Sequence, residues 1–322
     1  MRGRGFTYVD VDGSPLTDPV TRERIKALVI PPAWRDVWIC PYPNGHIQAI
    51  GVDAAGRRQY LYHPDWRTRQ DAIKHDHVVE VARRLPAARD RIGADLASRG
   101  LNRRRVLAAA ARMLDLGFFR IGGEQYAEEN SSYGLATIRR EHVALERGGV
   151  VTFDYPAKSG RQRVQALAEP GVVAVVRALL KRRGGGDELL AYWAGRGWRD
   201  VRSGDINEYL CEVVGIDVSA KDFRTWHGTV LAAIALAVAE PDGMSPTARK
   251  RLVTHAVKEV SSYLGNTPAV CRKSYIDPRV IERFESGETI ERAVPLLGAG
   301  TDEGSLASIG GAERAVLRLL AE

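Results

Sequence analysis

The stretch Lys273-Ser274-Tyr275-Ile276-Asp277-Pro278-Arg279 contains the residue around which the rest of the chain can be understood. Asp277-Pro278 predicts a helix start, because aspartate is a good N-cap and proline is tolerated in the first helical turn. Tyr275 thus stands just before a helix, beside the charges of Arg272 and Lys273. A phenol is a poor nucleophile unless cations stabilise its anion. A catalytic role therefore depends on cations elsewhere, and a packed aromatic is the alternative.

A donor amide and a helix end lie shortly before Tyr275. The apolar periodicity of residues 245–264 predicts a helix, and Gly265 is typical of the left-handed residue that ends one. Asn266 follows in the turn, nine residues before Tyr275, so the turn can bring the amide and the phenol to one spot.

A cationic helix start lies further upstream. The stretch Ser219-Ala220-Lys221-Asp222 has the capping-box pattern, with serine at the cap and an acid three residues later. The helix that it opens carries Lys221, Arg224 and Gly228 on one face. Cations in the first turns of a helix, where the helix dipole is also positive, predict a site for an anion.

Arg120 lies in the apolar stretch Phe118-Phe119-Arg120-Ile121-Gly122-Gly123. An arginine in apolar surroundings must be paired or directed at an anion. The two glycines permit close approach of a backbone, and a helix beginning near Glu124 would direct free N–H groups at a phosphate. An ion pair with Glu128 or Glu129 is the structural alternative.

Lys158 is predicted at the tip of a β-hairpin. Residues 150–155 and 161–167 have the pattern of strands, and Pro156-Ala157-Lys158-Ser159-Gly160 joins them. Lysines at hairpin tips are usually solvated and inert, so Lys158 alone does not predict a catalytic role. Such a role is indicated only together with the other candidate residues.

The N-terminal part is predicted to be mainly β-structure, with strands over residues 6–11, 37–40, 46–52 and 58–62 and a helix over residues 17–28. Arg57, Tyr60 and Tyr62 lie close together, and the tyrosines share one face because strand side chains alternate. Aromatic side chains interleaved with arginine suit a nucleic-acid backbone. The alternative is an ordinary sheet with one buried and one exposed face.

Helical periodicity begins at residue 65, with helices predicted over residues 65–84, 87–99 and 103–116. We therefore predict an α+β fold with two domains. Residues 1–70 form a small β-rich N-terminal domain, and residues 71–322 form a larger, mainly α-helical domain that contains the short β-hairpin region.

Composition narrows the function classes. A net charge of +7 predicts a polyanionic partner. Three distant cysteines argue against a disulfide framework or a zinc site and fit a reducing cytosol, and the pair His75 and His77 is interpreted as a polar helix face. The N-terminus lacks a signal peptide, and the longest apolar run, residues 230–239, is too short to span a bilayer. We expect a cytoplasmic protein with no cofactor, no metal and no membrane partner.

These residues together supply the groups needed for attack of a tyrosine on a phosphodiester. Arginine and asparagine donors would stabilise charge on the non-bridging oxygens. A lysine on a mobile hairpin could protonate the leaving 5′ oxygen. The tyrosine would itself become a phosphodiester, so the bond energy is kept and no ATP is needed.

The chain resembles the type IB DNA topoisomerases, in particular the small poxvirus-like kind found in bacteria. The resemblance is carried by Phe118-Phe119-Arg120-Ile121-Gly122, Lys158, Lys221-Asp222-Phe223-Arg224-Thr225, Gly265-Asn266-Thr267-Pro268 and Ser274-Tyr275. Their order and spacing also match, with 38 residues from Arg120 to Lys158 and 42 from Arg224 to Asn266. The resemblance covers nearly the whole chain.

The resemblance implies relaxation of supercoiled duplex DNA without ATP or metal, by cleavage of one strand, swivelling and religation. It implies that Tyr275 forms a 3′-phosphotyrosyl link, that Arg120 and Arg224 clamp the phosphate, and that Lys158 is the general acid.

The resemblance also implies how the protein holds DNA. Arg57, Tyr60 and Tyr62 would be DNA contacts of the N-terminal domain, and Lys221 a contact of the helical domain. The expected architecture is a monomeric, two-lobed clamp around duplex DNA.

Asn266 departs from the family pattern, because poxvirus and eukaryotic members have histidine there. Asparagine can still donate a hydrogen bond to a non-bridging oxygen, but it supplies no charge and no proton shuttle. His227 and His255 are possible substitutes for that role.

Two other functions compete. A tyrosine site-specific recombinase uses similar chemistry, but such enzymes usually have histidine where this chain has Lys221, and their N-terminal half is helical. A non-catalytic duplex-DNA-binding clamp is the second alternative, and the complete set of five site residues argues against it.

Overall fold

The computed structural model of the protein describes residues 6–238, 244–290 and 307–321. The chain divides into two compact units, Met1–His75 and Asp76–Glu322. The described ranges contain eleven α-helices and eight β-strands, which confirms the predicted mixture of helices and small sheets. The predicted domain limits, 1–70 and 71–322, stay a prediction.

The N-terminal unit is built on an antiparallel sheet in the order β1-β2-β3. Its elements are α1 (Pro19–Ala27), β1 (Arg35–Ile39), β2 (Ile47–Val52) and β3 (Arg58–Tyr62). Ala49 in the central strand is fully buried. Gly51 lets the ring of Trp34 approach the same strand, since a Cβ there would lie 2.6 Å from the ring atom Cε3.

The predicted strand over residues 6–11 is wrong. Only an isolated bridge between Val9 and Pro15 forms there, around a turn in which the N–H of Gly13 donates to the carbonyl of Asp10. Val11 is 95% exposed. A strand needs a partner and a buried face, and this segment folds back on itself after only a few residues.

The second unit is mainly helical. After α2 (Pro64–Leu96), the helices are α3 (Arg103–Gly117), α4 (Glu124–Asn130), α5 (Pro170–Leu180), α6 (Ser203–Val214), α7 (Ala220–Ala237), α8 (Pro246–Leu264), α9 (Pro268–Ser274), α10 (Pro278–Glu285) and α11 (Ala307–Ala321). The strands β4 (Val143–Glu146), β5 (Val150–Ala157) and β6 (Arg161–Leu167) form an antiparallel sheet, and β7 (Ala191–Trp193) pairs with β8 (Trp198–Asp200).

Helix α2 is continuous, so the predicted break between residues 84 and 87 is wrong. Pro86 lies inside the helix and removes one backbone donor, which costs about 3 kcal/mol. However, Leu85, Ala88 and Ile92 are buried in the core. Burying each large apolar side chain contributes about 1.5–3 kcal/mol, so packing outweighs the lost hydrogen bond.

His75 also differs from its interpretation as part of a polar helix face, because its side chain is only 3% exposed. It lies three and seven residues before Val78 and Ala82, which are both buried. Residues at this spacing share one stripe of a helix, and the stripe here is buried.

Helix α7 lies at the centre of the second unit, with Phe223, Trp226 and Val230 almost fully buried. The predicted capping box is present, since both the N–H and the hydroxyl of Ser219 donate to Asp222 at 2.8 Å. The predicted buried run begins at Val230, and α7 ends at Ala237. Residue 239 lies outside the described residues. Across the described parts of the chain, we find no helix with the length and apolar character to span a membrane.

A buried group of charges, which we call the Arg89 cluster, joins α11 to the core. Arg89 on α2 donates to both carboxylate oxygens of Asp115 on α3, each at 2.9 Å. It also donates to both oxygens of Glu313 on α11, at 2.6 and 2.8 Å. The indole of Trp226 on α7 donates to Glu313 at 2.9 Å. Paired charges thus connect α2, α3 and α11, and the hydrogen bond from the neutral indole joins α7 to them.

Candidate active site

A cavity of about 260 Å³ in the second unit is lined by four of the five predicted catalytic residues. Its walls come from the segment after α3, the β5–β6 hairpin, α7 and the end of α8. The cationic lining residues are Arg120, Lys158, Arg161, Arg163 and Arg224. No aspartate or glutamate is among the described residues that line it. We call it the cationic cavity, and an uncompensated positive site of this kind fits an anion.

Arg224 lies on α7 and is 3% exposed. Its guanidinium donates to the carbonyls of Phe118 and, at 2.8 Å, Leu264, while its buried Nε has no acceptor among the described residues. Burial lowers the pKa of Arg224 to about 10, and the charge of Arg120 acts in the same direction. The backbone carbonyls orient the group without neutralising it.

Arg120 follows Phe118, which ends α3 in a left-handed conformation with φ 55°. Its Nη2 donates to the carbonyl of Gly265 at 2.7 Å and to Oδ1 of Asn266. These contacts take the place of the alternative ion pair with Glu128 or Glu129. They connect the end of α3 to the end of α8.

Gly122 permits the close approach of a backbone that the sequence predicted. A Cβ at Gly122 would lie 2.9 Å from the Cα of Gly134, so the close approach is between two backbones of the protein. Glu124, the first residue of α4, lines a separate cavity. The expectation that this helix start faces the phosphate site is therefore wrong.

Asn266 lies in the turn after Gly265, which ends α8 with φ 63° as predicted. Its backbone N–H donates to Ser261 at 2.9 Å. Its side-chain Nδ2 is buried and has no acceptor within the described ranges. The amide thus accepts from Arg120 with its oxygen and keeps two N–H donors for another group.

Lys158 is exposed at the start of a short 3₁₀ turn, Lys158–Gly160, which joins β5 to β6. The turn contains Ser159 at φ 66°, a left-handed conformation. The predicted hairpin is therefore present with the lysine at its tip, and its side chain faces the cationic cavity from one edge.

Tyr275 does not line the cavity but is half-buried next to it. The guanidinium carbon of Arg224 lies 5.3 Å from the centre of its ring. Its N–H donates to Cys271 at 2.9 Å, and its carbonyl packs on Gly228, where an added Cβ would lie 2.5 Å from the oxygen. The main chain of Tyr275 is thus fixed against α7.

The predicted DNA contact Lys221 and a second tyrosine, Tyr155, lie near Arg224. Lys221 is exposed in the first turn of α7, one turn from Arg224. Tyr155 lines the cavity, donates to Gln165 at 3.0 Å, and has its pKa raised by burial to about 12. Among the tyrosines near Arg224, Tyr155 is therefore poorly suited to ionise.

The possible histidine substitutes for Asn266 lie elsewhere. The Nε2 of His227 is buried 3.3 Å from Asp115. His255 is exposed on α8, 3.9 Å from Glu259. Neither is among the residues that line the cationic cavity.

In the N-terminal unit, Tyr60 and Tyr62 stack with ring centres 6.1 Å apart, as their shared face predicted. Trp66, which the sequence reasoning missed, extends the row by stacking on Tyr62 at 4.4 Å. Arg57 lies in the preceding turn and pairs with Asp53 at 2.8 Å. Tyr60 is exposed, and Tyr62 and Trp66 are half-buried. The accessible parts of this aromatic row offer flat surfaces to a nucleic acid.

Arg161 and Arg163 are cationic cavity residues that sequence reasoning missed. Arg163 lies on β6 opposite Tyr155 and donates to the carbonyls of Ser262 and Tyr263. The alternation of Arg161 and Arg163 after Lys158 was the available signal, but only the strand register shows which side chains face the cavity.

Known proteins match most of this chain. A family model described as the catalytic core of eukaryotic DNA topoisomerase I matches residues 63–293, and one described as the N-terminal domain of bacterial DNA topoisomerase IB matches residues 5–53. The DNA topoisomerase 1B of Acanthamoeba polyphaga mimivirus is 30% identical over 292 residues, covering 88% of this chain and 86% of the relative. The DNA topoisomerase 1 of Rabbit fibroma virus is 22% identical over 298 residues, covering 87% and 89%.

Proposed function

This chain belongs to the type IB DNA topoisomerase family, and we propose that Tyr275 is the nucleophile with which it relaxes supercoiled DNA. As in that family, the reaction would be transient cleavage of one strand of duplex DNA, swivelling, and religation, with neither ATP nor metal. The observation that carries the proposal is the cationic cavity, whose five cations face no carboxylate among the described lining residues.

Arg120, Arg224 and Asn266 are proposed to bind the scissile phosphate. Two guanidinium groups can surround the non-bridging oxygens, where negative charge accumulates in the transition state. The buried Nε of Arg224 and Nδ2 of Asn266 have no acceptor in the described parts of the chain, so both are available to the phosphate. A bound phosphate would satisfy both donors and offset the cost of burying Arg224.

The proposed reaction has two steps, cleavage and religation, and each is a single displacement at phosphorus. The phenolic oxygen of Tyr275 bonds to phosphorus while its proton passes to water, and the bond from phosphorus to the 5′ oxygen breaks. Lys158 gives a proton to that leaving oxygen. In religation the 5′ hydroxyl returns its proton to Lys158 and attacks phosphorus, and Tyr275 leaves as a phenolate that regains its proton from water.

Asn266 is proposed to act only as a hydrogen-bond donor. Its oxygen accepts from Arg120, which fixes the amide with its N–H groups free. An asparagine can orient a phosphate oxygen in this way but brings no charge. The charge in the cavity therefore comes from the arginines and Lys158.

The remaining contacts are proposed to hold the duplex. The stacked row of Tyr60 and Tyr62, with Arg57 nearby, would contact DNA from the N-terminal domain, residues 1–70. Lys221 would contact the backbone from the catalytic domain, residues 71–322. We propose a monomeric clamp that works on DNA in the cytoplasm, at the nucleoid.

Covalent trapping tests this proposal. Protein mixed with supercoiled DNA and quenched in denaturant should yield a protein–DNA adduct, which Tyr275→Phe abolishes. Tyr155→Phe is the matched control, since it removes the other hydroxyl near Arg224 and should still give the adduct. An adduct in Tyr275→Phe, or none in the wild type, contradicts the proposal. Relaxation in steps of variable linking number further separates a topoisomerase from a recombinase.

A further inference from the structure

Arg163 makes a connection across the cationic cavity that the proposed chemistry does not explain. It lies on β6, five residues after Lys158, and is half-buried. Its Nη1 donates to the carbonyl of Ser262 at 3.3 Å and its Nη2 to the carbonyl of Tyr263. Both acceptors belong to the last turn of α8, on the opposite wall of the cavity.

The acceptors suit a guanidinium. Carbonyls in the last turn of a helix lack partners within the helix, and cations are favoured at this end of the helix dipole. The fit is close, because a Cβ at Gly265 would lie 3.1 Å from Nη1 of Arg163. The guanidinium of Arg163 thus packs closely against Gly265, next to Asn266 in the chain.

The hairpin transmits this connection to Lys158. Strands β5 and β6 stay paired up to Ala157 and Arg161, which flank the turn directly. Arg163 is opposite Tyr155 in that ladder, so Lys158 lies only a few residues beyond the anchored point. A paired hairpin is stiffer than a loop, so fixing Arg163 also fixes the position of its tip.

We propose that Arg163 is a positioning residue that anchors the Lys158 hairpin to the end of α8. With this anchor, Lys158 is held at the edge of the cationic cavity, where its ammonium group would be within reach of the leaving 5′ oxygen. The inference rests on the proposed function of Lys158 as general acid. Arg163 itself touches no reacting atom and acts through Lys158.

A DNA substrate with sulfur in place of the scissile 5′ oxygen tests this role. A thiolate leaves without protonation, so the substrate restores cleavage when proton donation is the only defect. Arg163→Ala should slow cleavage of ordinary DNA by about 10-fold or more, part of the 10²–10⁴-fold that a general acid contributes. The sulfur substrate should restore most of that loss. A general loss of folding would slow both substrates equally.

The double variant Lys158→Ala/Arg163→Ala gives a second readout. If Arg163 acts only through Lys158, the double variant should cleave ordinary DNA no more slowly than Lys158→Ala alone. Arg161→Ala is the matched control, because it removes a like charge from the same strand. Any loss that it causes should be equal on the oxygen and sulfur substrates.

The outcomes separate this inference from the proposed function. The inference is overturned if the sulfur substrate restores cleavage by Lys158→Ala but not by Arg163→Ala. It is also overturned if the rate losses of the two substitutions multiply in the double variant, because Arg163 then has another role. If sulfur restores neither variant, the general-acid function of Lys158 fails and the inference fails with it. Should Arg163→Ala not fold, Arg163→Lys, which reaches only one carbonyl, should show a smaller defect with the same rescue.

Discussion

The cationic cavity and the Arg89 cluster are both groups of charged side chains in one helical unit, but their charges have different partners. In the Arg89 cluster, one guanidinium meets two carboxylates, Asp115 and Glu313, in four hydrogen bonds. In the cavity, Arg120, Arg163 and Arg224 donate to backbone carbonyls or an amide. None of the five cations there faces a carboxylate among the described lining residues. Paired charges hold helices together, whereas unpaired positive charges form a binding site for a negatively charged ligand.

Two arginines show the difference in their ionisation. Burial disfavours the charged form of both Arg89 and Arg224. For Arg89 the hydrogen bonds to Glu313 and Asp115 outweigh burial and raise its pKa above the ordinary value. For Arg224 the nearby Arg120 adds to the effect of burial, and the pKa falls to about 10. The charged form of arginine is thus stabilised at Arg89 by its carboxylate partners, whereas at Arg224 burial and a like charge destabilise it.

The largest effect is expected from removing a cavity arginine. Arg120→Ala and Arg224→Ala should each slow single-turnover cleavage at least about 100-fold, as the loss of an oxyanion donor does. Arg177→Ala on the exposed face of α5 is the matched control, and its cleavage rate should stay close to wild type. An unchanged rate in either cavity variant would remove that residue from the site.

Removing a carboxylate from the Arg89 cluster should lower the stability of the protein strongly but should change the cleavage rate less. Glu313→Ala leaves the indole of Trp226 without an acceptor and removes two of the four hydrogen bonds of Arg89, which keeps only Asp115. This loss costs about 3 kcal/mol. The melting temperature should fall by on the order of 10 °C. Well below that temperature, the cleavage rate should change far less than in Arg224→Ala.

The matched control for the cluster is Glu282→Ala, which removes an exposed carboxylate from α10. Its melting temperature should change little, since surface charges contribute about 1 kcal/mol or less. Equal melting temperatures for Glu313→Ala and Glu282→Ala would show that α11 is not held by the cluster. The claim that the paired charges of the Arg89 cluster hold the helices together would then be wrong.

The smallest effect concerns acid stability. Burial alone would raise the pKa of Asp115, but hydrogen bonds from His227 and Arg89 hold it well below its usual range. A carboxyl with a depressed folded pKa contributes stability in full above its unfolded value of about 4, and this is lost as the pH falls further. The gap in urea-unfolding free energy between wild type and Asp115→Asn should therefore narrow by about 1 kcal/mol or more from pH 6 to pH 3. A constant gap would contradict the coupling.

The parts of the site that could be predicted from sequence are those with local causes. The capping box at Ser219, the helix end at Gly265 and the hairpin tip at Lys158 each depend on a few neighbouring residues, and all three are present. The order and spacing of the motifs then brought Arg120 and Arg224 into one hypothesis.

The parts that failed depend on distant partners. The register that brings Arg163 opposite Tyr155 cannot be read from either strand alone. Glu313 pairs with Arg89 across 224 residues, and no local pattern marks either residue. Pro86 is a reliable helix breaker only where burial does not oppose it, and here it does.

Gly228 has a mechanical consequence for the reaction. The carbonyl of Tyr275 rests on this bare position of α7, and Arg224 lies one turn earlier on the same helix. If Tyr275 and Arg224 act as proposed, this packing ties the main chain of the nucleophile to the helix that carries the guanidinium. A displacement of α7 under torque from rotating DNA would then move the two groups together.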